Sequence, residues 1–593
     1  MNKEKEILKE LKADFESRKK ERKPYEQAWL LNMSFLQGNQ YAGLTSRGEI
    51  GDLFRQYFWQ EREVYNHIAP IVETRLAKLA RVRPSMAVLP ASGSTDDINT
   101  AKVSKKVLDA ATARINISQV VSEATKWSEV CGTSFYKVIW NKDAGALIGK
   151  TDAADIYEGD VEVAVCSPFE IYPDSGSAGN VDSCISIIHA RTYHIDTIKN
   201  IWGVEVKSEN SHAVVLEKYI RPSGEYPDGR LLVAAGDKLL YDGELPYKNG
   251  KSGERCFPFI RQVAIESPNL FWGTSIIERC IPVQRAYNAV KNRKHEFLNR
   301  ITMGVLTVED GSVDIENLEE EGLSPGKVLV YRQGSHPPRM LSSENVPVDF
   351  TYEEERLLNE FNLVSGVSDL LHNNAARLSN MSGIALQLLI EQEDARISAS
   401  GESIRFAVLK ISQNILLLYK QFAGTRRIAQ TIGKNGEVQQ FYWNKSDINS
   451  ADVVFETENE FGQTPAQKRS MVFDLLKAGL LHNEDGRLSN TMRLKVLDLL
   501  GFGIWENAHD LSDLQRTNAE NENLKLLNYD TNPKVLEIHD HDIHISEHTA
   551  FMLTKEFVNI TEARPELTEV VLEHIREHKK FKSLENETIK EQN

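Results

Sequence analysis

Apolar residues recur every three to four positions through both ends of the chain and alternate in twos through much of the middle. The helical signal is strongest at Ile404, Val408, Ile411, Ile415, Leu418 and Phe422, where spacings of four and three put one apolar stripe on a helix. Ser382 stands just ahead of this run, and its hydroxyl can satisfy an orphan backbone N–H as an N-cap. No proline interrupts 382–422, which at about 1.5 Å per residue would span roughly 60 Å. Such a length is unusual in a globular enzyme and ordinary for a strut in a large assembly. The preceding stretch is polar, turn-rich and bounded by Gly366 and Gly383, so it can move without breaking a core.

Elsewhere the pattern predicts helices over 1–37, 61–82 and 98–130, the last carrying Val103, Val107, Ala110 and Ile117. From Ser134 it changes to strands: Phe135–Trp140 meets a turn at Lys142–Gly145, and further strands are expected near 160–166, 184–193, 213–221, 230–234 and 257–265. A helix over 273–300 follows, with Ile276, Cys280, Val283, Tyr287 and Val290 on one face. Next come a short β-rich insert at 301–345 (Val305–Val308, Lys327–Tyr331), a helix over 348–364, the loop and the long helix. Strands near 438–457 close this body, and 465–593 returns to helix, with a break at Gly501–Gly503 and a charged tail after Arg564. The fold class is α+β. Two helices leading to and from a small β-module form an antiparallel stalk, and the first is basic on its other side (Arg279, Arg285, Lys291, Arg293, Lys294 and Arg300 against Glu278 and Glu296).

A chain of 593 residues exceeds one core. Its 41% apolar content excludes disorder as the dominant state, and no apolar run approaches a membrane span. Met1–Lys23 alternates Lys and Glu without the apolar block of a signal peptide, and reads as an exposed amphipathic helix. Five scattered cysteines without a CxxC pair fit a reducing compartment, hence assembly in cytoplasm. A net charge of −16 argues against tight wrapping of nucleic acid, which needs a basic face. It suits a channel through which DNA must slide.

The loop with its following Ile384-Ala385-Leu386-Gln387-Leu388-Leu389 resembles the tunnel loop and long wing helix of tailed-phage portal proteins. Trp272-Gly273-Thr274-Ser275-Ile276-Ile277, then Pro282-Val283-Gln284-Arg285-Ala286-Tyr287-Asn288, resembles the start of that family's first stem helix. Asn66-His67-Ile68-Ala69-Pro70-Ile71-Val72-Glu73, running on to Arg83-Pro84, is similar to the podovirus-type branch, as is Ser167-Pro168-Phe169-Glu170-Ile171-Tyr172-Pro173-Asp174. Their order along the chain makes the resemblance specific. It implies a mainly helical portal fold: an N-terminal wing (1–270), first stem helix (271–300), clip (301–346), second stem helix (347–365), tunnel loop (366–383), long wing helix with closing strands (384–464) and a helical crown (465–593).

The resemblance further implies a homo-dodecameric ring at one capsid vertex of the virion. Such a ring nucleates head assembly, conducts double-stranded DNA in packaging and ejection, and has no membrane role. Its partners would be the terminase large subunit, major capsid and scaffolding proteins, head-completion adaptor or tail proteins, and dsDNA bound without sequence preference. Arg285, Lys291, Arg293, Lys294 and Arg300 would face the channel. Asn373, Asn374, Arg377, Ser379 and Asn380 would line the loop, and Glu319, Glu320, Glu321, Arg332 and His336 would form the clip's docking surface.

Candidate chemistry is sparse. His539, His541, His544 and His548 cluster with Asp540 and Asp542, and the i, i+4 pair His544/His548 shares one helical face, as metal ligands can. The HExxH order is absent, because Glu547 directly precedes His548, and the reading favours polar packing over a metal. Gly145–Thr151 has one residue too few for a P-loop and leads into a strand pattern. No nucleophile elbow or two-metal carboxylate pattern appears, so neither an enzyme nor a cofactor is expected. The alternatives are a metal-dependent hydrolase using 539–548, or a non-enzymatic intracellular helical scaffold.

Overall fold

The computed structural model describes residues 2–45, 48–52, 61–82, 84–92, 95–150, 155–176, 179–207, 211–248, 253–303, 305–313, 328–341, 349–367, 383–424, 427–432, 438–448, 452–455, 472–479, 496, 515–516, 518–519, 522–523, 525–526, 533–553, 557–558, 561 and 565–592. They fall into two compact units: Met1–Leu89 with Ala101–Arg426 and Asn444–Gly462, and Pro90–Thr100 with Arg427–Trp443 and Gln463–Asn593.

The first unit starts with α1 (Asn2–Leu36), which is docked rather than exposed: Leu8, Leu11, Trp29 and Phe35 are all buried. Two of its arginines are buried too. Arg18 Nη1 donates to the carbonyls of Tyr172 (3.2 Å) and Ser186 (3.1 Å), and Arg22 Nη1 to those of Phe169 (2.9 Å) and Ile171 (3.0 Å). Charge alternation marks a solvated face but cannot reveal arginines whose stems lie on apolar surface while their forks satisfy carbonyls.

A hairpin of β1 (Ala42–Leu44) and β2 (Ile50–Asp52) precedes α2 (Ile68–Leu79). That helix begins later than the periodicity predicts. Asn66 Oδ1 accepts from the N–H groups of Ile68 (3.1 Å) and Ala69 (3.2 Å), which fixes the start. After β3 (Met86–Val88), the helix expected over 98–130 is two, α3 (Thr95–Ile115) and α4 (Ile117–Cys131). The break is Asn116, left-handed at φ 53°, a conformation that Asn tolerates.

The strands fall close to the predicted segments. β4 (Thr133–Asn141), β7 (Asp160–Cys166) and β13 (Phe259–Val263) form a three-stranded antiparallel sheet in the order β13-β4-β7. β5 (Leu147–Lys150) and β6 (Asp155–Tyr157) pair as a ribbon, so Leu147–Lys150 of the P-loop-like stretch is strand. β8 (Ile171–Pro173), β9 (Ser186–His194), β10 (His212–Ile220), β11 (Arg230–Ala235) and β12 (Lys238–Gly243) make a five-stranded antiparallel sheet, with α5 (Ile195–Trp202) after β9. A core of Trp29, Phe135, Ile171, Ile187, Phe271 and Trp272 joins α1 to the sheets.

Trp272-Gly273-Thr274 crosses this core tightly. A Cβ on Gly273 would fall 2.2 Å from Val263 Cγ1, and one on Gly132, itself at φ 84°, 2.3 Å from the Gly273 carbonyl oxygen. Both positions therefore require glycine.

Next, α6 (Ile276–Met303) runs out to a two-stranded antiparallel sheet of β14 (Val305–Thr307) and β15 (Arg339–Leu341), and α7 (Asp349–Ser365) returns against α6. The Lys327–Tyr331 run, expected as strand, is irregular over 328–331, with Val328 and Val330 at least 80% exposed. α8 (Gly383–Phe422) is the long helix, and its stripe of Ile404, Val408, Ile411, Ile415 and Leu418 is buried. β18 (Val453–Phe455) pairs with β3.

In the second unit β16 (Arg427–Ile432) and β17 (Val438–Trp443) form a hairpin, and α9 (His541–Met552) packs against α10 (Glu566–Gln592). All five cysteines are free thiols. Among the described residues no helix is long and apolar enough to cross a membrane.

Candidate functional site

The stalk is built on a row of buried amides. Gln284, Asn288 and Asn292 lie one turn apart on α6 and are at most 4% exposed. Gln284 accepts from His67 N (3.0 Å) and donates to the Tyr65 carbonyl (2.7 Å). Asn288 accepts from Tyr65 N (3.2 Å), and Asn292 donates to the Glu63 carbonyl (2.9 Å). This ladder satisfies the backbone of 63–67, which has no regular partner strand. Its signal, polar amides at i, i+4 and i+8, was present in the sequence and was not read.

The basic residues of α6 divide by partner. Arg285 is half-buried, donates to the Ala42 carbonyl (2.9 Å) and sits 5.1 Å from the Phe35 ring centre. Lys291 and Lys294 both reach Glu354 on α7, at 3.7 and 3.1 Å, and so tie the stalk's helices together. Arg293 is exposed and has no ion pair among the described residues. Arg300 lies in the last turns of α6. At the stalk's tip Arg332 and His336 are exposed. His336 donates its backbone N–H to Glu309 (3.0 Å), and its Nδ1 lies 2.6 Å from the same carboxylate. Glu319, Glu320 and Glu321 lie outside the described residues, as do Asn373, Asn374, Arg377, Ser379 and Asn380.

Where α7 ends, a buried ion pair anchors the approach to the loop. Arg75 of α2 holds Glu129 of α4 through two contacts, at 2.7 and 3.3 Å. It also donates to the Ser365 carbonyl (3.4 Å) and Ser400 Oγ (3.3 Å). A second charged group joins the two sheets, where Glu217 meets Lys137 (2.5 Å) and His189 (3.3 Å), and His189 also meets Glu170 (3.3 Å). Burial and Lys137 oppose the His189 imidazolium, yet its contacts with Cys166, Glu170 and Glu217 raise it to about 10.

The predicted histidine cluster is real and larger than the sequence suggested. Asp540 caps α9 by accepting from Asp542 N and Ile543 N. Behind this cap, His541, His544 and His548 are buried, as is His539 just ahead of the helix. Glu522 and α10's His574 and His578 complete the group, each at most 4% exposed. Burial works against the Glu522 carboxylate, but His544, His548 and His574 hold it well below the usual carboxylate range. Burial, then His574 and His544, pushes His578 down to about 3. Asp542 lies outside this group, at the surface with Lys582.

Residues 228–502 match the model of the phage P22-like portal protein family. No protein in a search of curated sequences matches the chain. The matched span takes in β12, β13, the α6–α7 stalk with its terminal sheet, and the whole of α8; the motifs at 66–73, 83–84 and 167–174 lie outside it. Over residues 228–502 the chain is similar to the tailed-phage portal proteins.

Proposed function

We propose that twelve copies of this chain close into a ring at one capsid vertex and form the channel through which double-stranded DNA is packaged and ejected. The observation that carries this reading is the stalk within the family-matched span: two antiparallel helices presenting a small β-module, with a forty-residue helix further along the chain. In this reading the stalk lines the channel, and Arg293 offers the phosphate backbone a cation not already paired within the described fold. Arg285, Lys291 and Lys294 chiefly hold the stalk's shape. Arg377 and its Asn and Ser neighbours narrow the bore. A charge repeated around an axis grips a backbone without base readout, and salt weakens that grip.

The stalk's tip, with Arg332, His336 and exposed Val328 and Val330, docks the terminase large subunit during packaging and later a head-completion adaptor or tail protein. The long helix seats the ring among major capsid and scaffolding proteins, so that the ring nucleates the head. The subunit's part is structural, and phosphoryl transfer falls to the motor.

Mass by light scattering and negative-stain imaging test the assembly. The expected species is a closed ring near twelve subunits with a pore wide enough for duplex DNA. A chain that stays monomeric or dimeric at micromolar concentration in all salts would overturn the reading. Deleting 369–380 should leave ring formation intact while impairing packaging or retention of DNA. Full packaging at normal rate would reduce the loop to a connector.

A further inference from the structure

We infer that the C-terminal unit holds one structural transition-metal ion of the Zn2+ class, ligated by Glu522, His548, His574 and His578. The inference is independent of the channel reading. One donor atom from each of these four residues lies within 4.8 Å of the other three, and all four are buried. His548 Nε2 and His574 Nε2 each lie 3.5 Å from Glu522 Oε2. Ligands at about 2.0–2.1 Å from a tetrahedral Zn2+ ion stand about 3.3–3.4 Å apart, so these gaps are those of ligand atoms around a shared centre.

Hydrogen bonding fixes which nitrogens face inward. His548 Nδ1 lies 2.6 Å from Asn523 Oδ1. An amide oxygen only accepts, so a neutral His548 carries its proton on Nδ1 and turns its Nε2 lone pair to the Glu522 carboxylate, 3.5 Å away against the 3.0 Å at which His544 bonds the same oxygen. Two acceptors facing each other in a dry site call for a cation between them. His578 engages His541 through Nδ1 (3.0 Å), which leaves its Nε2 without a partner among the described residues. Among the described residues His574 has no hydrogen-bond partner on either nitrogen. Ligating histidines characteristically use the second ring nitrogen to hold an outer partner, as His548 does with Asn523.

A rival set of Glu522, His539, His544 and His578 is also close enough. It fits less well. Asn518 Nδ2 lies 3.3 Å from His539 Nε2, which places the His539 proton on Nδ1, the nitrogen nearer the carboxylate. His544 has an acceptor on each side, Glu522 at 3.0 Å and Gln515 at 3.1 Å, and is placed to hold those two groups. Three imidazoles and one carboxylate in tetrahedral array suit Zn2+. With four protein donors, all buried, the centre has no open position for substrate, so its role is to clamp α9, α10 and the Glu522 segment together.

The test uses the full chain expressed with added zinc and dialysed before elemental analysis. About one zinc per chain is expected, with Co2+ substitution giving the visible absorption of a tetrahedral site. A chelator should lower the melting temperature and returned zinc restore it. His548→Asn with His574→Asn should lose the bound metal. Because that variant could fail to fold, Asn523→Ala, which keeps all four ligands, is tested beside it and should bind Co2+ about 10–100-fold more weakly. Absence of stoichiometric metal, with melting indifferent to chelator and zinc, overturns the inference. So does metal that persists in the double variant, two ions per chain, or unchanged Co2+ affinity in Asn523→Ala.

Discussion

Replacing Arg75 by alanine tests what holds the root of the loop. Arg75 is 3% exposed and Glu129 is fully buried, so the substitution leaves a carboxylate in a dry interior with its partner gone. Breaking a buried pair from one side costs about 3–5 kcal/mol, far more than the pair contributes over an apolar substitute. The loss extends to the Ser365 carbonyl, whereas Ser400 keeps its bond to the Ala264 carbonyl at 2.6 Å. For a unit of about 430 residues, an unfolding entropy of about 2.1 cal/mol/K per residue makes this a fall of about 3–6 °C in Tm. Tryptophan fluorescence reports the melting, since Trp29, Trp127 and Trp272 lie in or against this unit's core. The double variant Arg75→Met with Glu129→Leu should regain more than half the loss, because neither charge then remains unpaired. A single variant within about 1 °C of the parent, or a double variant no better than the single, would refute the reasoning.

Gly132→Ala should yield little folded protein, because its Cβ would strike the Gly273 backbone; soluble protein with parental melting would show that the crossing can relax. Gln284→Leu should cost about 1–3 kcal/mol for each backbone group left unpaired at Tyr65 and His67, read as a lowered denaturation midpoint. His189, raised to about 10 from an ordinary 6.5, stabilises the fold fully below about pH 6.5, and that contribution is lost as pH rises through about 10. The Tm gap between the parent and His189→Gln should therefore narrow from pH 6.5 to 10; a constant gap would contradict the assignment.

Much of the framework was legible because period and packing agreed. The alternation that predicted strands at 160–166, 213–221 and 230–234 is that of sheets buried on one or both faces, and the stripe from Ile404 to Leu418 is the buried face of α8. What escaped depends on partners distant in sequence. Nothing local to Arg18 or Arg22 announces carbonyls some 150 residues away. Asn116 breaks a helix through a backbone conformation that propensity only permits. Val328 and Val330 alternate like a strand yet lie exposed in irregular chain. In the histidine group the pair His544/His548 was read, while the matching pair His574/His578 was not, although its spacing is the same. Glu522 could not be found locally, since it stands in an ordinary polar stretch and matters only through the rings around it.

The amide ladder on α6 gives the stalk a mechanical register. Its rungs recur every four residues, about 6 Å along the axis, and each meets a backbone group of 63–67 or a neighbouring side chain. Sliding the helix by half a turn would set every rung against the wrong group at once, so resistance to axial displacement is cooperative. A thrust along the stalk is then shared among several bonds loaded in parallel, and 63–67 travels with the helix. Only a motion that carries 63–67 and Gln40 along with the stalk keeps all rungs engaged. A slip along the axis is the motion the ladder forbids.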